Sequence, residues 1–67
     1  MDEKHRLRIG RKIRELREAA NLTQDQLAEM TGLKKPNLSR IENGKYNTGL
    51  DILSRIAEAL GKKLDIV

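Results

Sequence analysis

The chain has 67 residues, of which 37% are hydrophobic and 36% charged, and it contains no cysteine. That length excludes a second sizeable domain, and the cysteine count excludes both a disulfide framework and a Cys-type zinc site, so a small core that gains stability from a partner subunit is expected. Fourteen Lys and Arg against ten Asp and Glu leave a net charge of +4, the balance of a chain that meets a polyanion. The apolar residues are almost all aliphatic, with no Phe or Trp and a single Tyr46, which favours a helical Leu/Ile core and removes the stacking platforms that single-stranded nucleic acid requires. No apolar run approaches the roughly 18 residues of a membrane span, and the first ten residues lack the apolar stretch of a secretory signal. A cytoplasmic chain with no membrane partner is expected.

Ile9, Ile13, Leu16 and Ala20 recur at steps of four, three and four, which predicts a first helix from about Arg6 to Ala20 with these residues on its buried stripe. Its other positions carry Arg6, Arg8, Arg11, Lys12, Arg14 and Arg17 against Glu15 and Glu18, so the outer face is basic. Thr23 with Gln26 three residues later forms a capping box, flanked by Leu22 and Leu27 as a hydrophobic staple. A second helix therefore starts at Gln24 and stops at Gly32. Leu33, Leu38 and Ile41 carry the next apolar stripe, and Pro36 is tolerated only in a first turn, which predicts a third helix from about Lys35 to Glu42, closed by Asn43 and Gly44. Lys45 to Gly49 form a polar loop. Leu50, Leu53, Ile56, Ala57 and Leu60 then mark a fourth helix ending at Gly61, and Leu64 and Ile66 alternate with Lys63 and Asp65 as a short strand would.

Two short helices joined by a tight glycine-containing turn describe a helix-turn-helix spanning residues 24–42. The small Ala28 permits close approach, while Leu33, Leu38 and Ile41 lock the second helix of the pair against the first. Lys35, Asn37, Arg40 and Ser39 then project away from the core, a polar face suited to base edges in a major groove about 12 Å wide. The segments LTQDQLAEMTG (22–32) and SRIENGK (39–45) resemble the lambda-repressor-like, XRE/Cro-type helix-turn-helix proteins, and the resemblance extends from about Ile9 to Gly61. It implies an all-α domain of four to five helices that acts on duplex operators, usually as a transcriptional repressor or autoregulator. Here the short C-terminal β-strand would stand where many members have a fifth helix.

Position by position, the resemblance implies base reading by Lys35, Asn37 and Arg40, and phosphate contacts by Gln24, Asn43 and Lys45, with Gln24 also supporting the third helix. It implies a structural ion pair between Arg17 and Glu42 that orients that helix. The chain departs from the pattern at Lys34, which stands at an N-cap that Ser or Thr would serve better, and at Pro36, which can offer a base only apolar contact. It also departs at Thr48-Gly49, where Pro-Ser or Pro-Thr often precedes the fourth helix.

No catalysis is expected, because neither Ser39 nor Ser54 has a base beside it, and His5 has no second ligand for a metal. No cofactor is implied. The function expected is sequence-specific double-stranded DNA binding by a homodimeric repressor, with Leu64 and Ile66 in a dimerising strand within residues 62–67. The alternative is an antitoxin that binds a toxin protein and also represses its own operon.

Overall fold

Asp2 sits in extended backbone with its carboxylate accepting the His5 N–H at 3.1 Å, and the helix it caps, α1, runs Glu3–Ala19. That cap explains why α1 begins three residues before the start predicted from apolar spacing, and the His5 N–H bond holds the Asp2 carboxyl below its ordinary range. The computed structural model describes residues 2–65 as α1 followed by α2 (Gln24–Thr31), α3 (Lys35–Glu42) and α4 (Leu50–Ala59). No helix among these residues is long and apolar enough to cross a membrane.

Local chemistry sets each boundary. The capping box is closed in both directions, since Thr23 Oγ1 accepts the Gln26 N–H at 3.1 Å and Gln26 Oε1 accepts the Thr23 N–H at 2.8 Å. At the other end of each helix, an N–H just beyond the helix reaches back five residues to a carbonyl of the last turn: Leu22 to Arg17, Leu33 to Ala28, Lys45 to Arg40 and Lys62 to Ala57. Such a closure needs one left-handed residue, which is glycine at three of the four ends and Asn21 (φ 58°) after α1. The start of α3 has no side-chain cap, because Lys34 offers no acceptor there; the Lys34 carbonyl instead takes both the Asn37 and Leu38 N–H groups.

Ile13, Leu27, Ala28, Leu38, Ile41, Leu53 and Ile56 form the core, with Ile9, Leu22, Leu33, Ile52, Ala59 and Leu60 packed around it. Each fully buried Leu or Ile contributes on the order of 1.5–3 kcal/mol. α3 lies against α1 and α2, and α2 also packs on α4.

Two sequence expectations are corrected. Ala20 is exposed as the C-cap of α1 rather than buried on its stripe. Leu50, the first residue of the apolar repeat that marks the fourth helix, is 73% exposed, because α4 turns Ile52 toward the core alongside Leu53 and Ile56 and leaves its first residue outside. The described part of the C-terminal segment, 62–65, carries no strand within one chain; the strand expected there pairs with a second copy. Leu64 is 45% exposed, and Ile66 lies outside the described residues.

Candidate nucleic-acid interface

Leu38 and Ile41 face inward from α3, and at about 100° per residue this turns Pro36, Arg40 and Asn43 outward in one row at spacings of four and three. All three are exposed. Lys35 and Ser39 flank the row on one side and Asn37, half-buried, on the other. Arg40 has no ion-pair partner among the described residues. Lys35 Nζ lies 3.7 Å from Asp25 Oδ2 with both side chains more than half exposed, a pair worth no more than about 1 kcal/mol, so Lys35 is free to exchange partners. Asn43 Nδ2 donates to Ser39 Oγ at 3.4 Å, so two of the candidate contacts face each other across one turn. Lys45 is exposed just beyond α3, and its N–H donates to the Arg40 carbonyl at 2.9 Å.

The last residue of α3 is held from two sides. Glu42 is 5% exposed, and its Oε2 accepts from Arg17 Nε at 2.8 Å, while Oε1 accepts from Arg17 Nη2 at 3.2 Å and from Gln24 Nε2 at 3.1 Å. Arg17 also donates from Nη1 to the Leu22 carbonyl at 2.8 Å, which ties the α1–α2 turn into the same cluster. A planar guanidinium paired bidentately with a carboxylate leaves little angular freedom, so α1, α2 and α3 are indexed to one another at this point. Arg17 is therefore buried rather than part of the basic outer face. Arg6 is likewise half-buried, with Nε donating to the Gly44 carbonyl at 3.2 Å.

Two glycines set the position of α3: Gly10, which the apolar pattern of the sequence does not register, and Gly44, expected there only as a helix stop. A Cβ at Gly10 would stand 2.3 Å from the Ile41 carbonyl oxygen and 2.6 Å from that of Glu42, so the backbone of α1 rests directly on the last turn of α3. Gly44 combines φ +72° with a Cβ position 2.8–2.9 Å from atoms of Leu7. The available signal was Gly10 itself: glycine inside a helix is about 1 kcal/mol less favourable than alanine, which points to a close approach.

The arrangement presents a helix held from behind, with Arg40 and Asn43 in its exposed outer row. Among the described residues, no group of His, Asp and Glu is placed to hold a metal ion.

Comparison with known proteins supports this geometry. The sequence profile HTH_3, a helix-turn-helix family, matches residues 13–67. An uncharacterized HTH-type transcriptional regulator of Mycobacterium tuberculosis is 41% identical over 58 residues, covering 87% of this chain and 41% of the relative. The immunity repressor protein of Bacillus phage phi105 is 37% identical over 59 residues, covering 88% of this chain and 41% of the relative. The chain thus spans about two fifths of the length of these curated relatives. Among solved structures, the restriction-modification controller protein C.AhdI from Aeromonas hydrophila superposes with a TM-score of 0.87 at 32% identity, covering 90% of this chain and 91% of that one.

Proposed function

Because the chain belongs to the HTH_3 helix-turn-helix family, a non-enzymatic class of DNA-binding transcription regulators, we propose that it represses transcription by laying α3 in the major groove of a palindromic operator as a homodimer. The observation that carries this reading is the outward row Pro36, Arg40, Asn43 on a helix whose opposite side is locked by Leu38, Ile41 and the Glu42 cluster. Arg40 has the reach and the planar fork to bond guanine O6 and N7, Lys35 and Asn37 read neighbouring base edges with Ser39, and Pro36 contributes apolar contact to a thymine methyl. Gln24, Asn43 and Lys45 bind phosphates on either side of the groove. The phage immunity repressor among the relatives supports repression as the outcome. Leu64 and Ile66 supply the apolar contact that joins two subunits, so that each half-site affinity is multiplied through linkage.

Selection of bound sequences from a random duplex pool tests the reading. Enrichment of two half-sites related by a two-fold axis, about one helical turn apart, is the expected result. A pool that emerges unenriched, with binding no tighter than to random duplex, overturns it.

A further inference from the structure

The basic outer face of α1 is not absorbed by the helix-turn-helix reading, and its two flanks differ. Leu7, Arg11 and Arg14 follow one another at spacings of four and three and so share one row. Arg14 lines a groove together with Thr23, Gln24, Lys35 and Asn43, with the Arg17–Glu42 pair at its base and Asp25 opposed by Lys35 at 3.7 Å. Leu7, Arg11 and Arg14 line an adjoining groove that ends at Asn43. The row is therefore continuous with the C-terminal end of α3. Arg8 and Lys12 lie further round the helix, in a groove that Leu7 and Arg11 border from the other side and that Arg14 does not reach.

The charges on this surface are poised for an anion. Glu42 is already compensated by Arg17, and Arg14 pairs among the described residues only with Glu18 at 3.7 Å, a pair with both side chains more than half exposed that is worth no more than about 1 kcal/mol. Arg11 is exposed and in no ion pair among the described residues. The row is also rigidly placed, because the α1 backbone at Gly10 rests on the Ile41 and Glu42 carbonyls. A helix with its side chains is about 10–12 Å across and fills a major groove about 12 Å wide, so an element packed on the side of α3 cannot enter with it and meets the groove wall, which is sugar-phosphate backbone.

We propose that Arg11 and Arg14 form a second DNA-contact surface, gripping backbone phosphates beside the groove that α3 enters. This rests on the duplex-binding reading above. Arginine is suited to the task because its fork bonds phosphate oxygens bidentately, and Leu7, 41% exposed at the N-terminal end of the row, lies against the deoxyribose carbons. The contacts position the domain and carry no sequence information.

The test compares the parent chain with Arg11→Gln/Arg14→Gln and with the charge-matched control Arg8→Gln/Lys12→Gln, each titrated onto the selected operator and onto random duplex from 50 to 200 mM salt. Far-UV circular dichroism confirms that each variant is folded. Loss of two phosphate contacts lowers the salt slope by about 1.8, so the parent loses about tenfold more affinity across that range than Arg11→Gln/Arg14→Gln does. The ratio of operator to random affinity stays the same, the control pair keeps the parent slope, and Arg11→Lys/Arg14→Lys restores it. An unchanged slope in Arg11→Gln/Arg14→Gln overturns the proposal and leaves the row to an acidic protein partner; an equal loss in the control reduces it to net charge and overturns it too. A parent that binds no duplex at all refutes the DNA-binding reading itself, whereas a parent that binds while its slope ignores Arg11 and Arg14 refutes only this inference.

Discussion

Removing the Glu42 carboxylate is expected to be the most damaging single polar substitution in the molecule. Glu42→Ala deletes three hydrogen bonds at once and leaves the Arg17 guanidinium, its side chain 10% exposed, with only the Leu22 carbonyl. Breaking a buried ion pair from one side costs about 3–5 kcal/mol, and the surviving Leu22 bond places this case near about 3 kcal/mol. A chain of this size has a total stability of about 3–10 kcal/mol, and each kcal/mol moves the midpoint by about 4–8 °C, so a fall in Tm of at least about 12 °C is expected by circular dichroism at 222 nm. Operator affinity should fall as well, although a negative charge near DNA has been removed, because the end of α3 is no longer indexed to α1 and α2. Replacing both partners, Arg17→Met with Glu42→Leu, should recover much of the loss, since an apolar pair of similar volume carries no uncompensated charge. A Tm within 4 °C of the parent for Glu42→Ala, or strictly additive effects of the two truncations, would refute the assignment of this pair as the device that orients α3.

Gly10→Ala gains helix propensity yet drives a methyl into two backbone carbonyls, so a net destabilisation of about 1–3 kcal/mol is expected in urea melts, against the stabilisation that an open helix position would show. Arg40→Ala should cost about 1–3 kcal/mol on the operator and relax discrimination at one base position, whereas Lys45→Ala should weaken all duplexes alike and lower the salt slope by about one; equal losses on operator and random DNA for both would make Arg40 a phosphate clamp. Deleting residues 62–67 should convert a sedimenting dimer to monomer and lower operator affinity far more than non-specific affinity, and identical sedimentation of the two chains would count against Leu64 and Ile66 as the dimer contact.

The sequence by itself determined the helix-turn-helix. The bounds of α2 and α3 follow from the Thr23–Gln26 box, the tolerance of Pro36 in a first turn, and the left-handed closures at Gly32 and Gly44, all of which act between residues within about one helical turn. Such signals are local, so they survive without knowledge of the fold. The start of α1 was also written locally, in the Asp2 cap, but apolar spacing alone does not register it. What only the tertiary structure decided is which face of each helix meets a neighbour. Arg6 and Arg17 read as members of a basic surface, yet contacts 38 and 25 residues away draw them inward, and Leu50 opens the apolar repeat of α4 but falls outside because α4 docks through Ile52 and Leu53. Gly10 shows the same division: its place in a helix is local, whereas the need for glycine arises from carbonyls more than thirty residues along the chain. The alternation at Leu64 and Ile66 specifies two faces for a strand but no partner for its hydrogen bonds, and a strand exists only where a second one lies beside it.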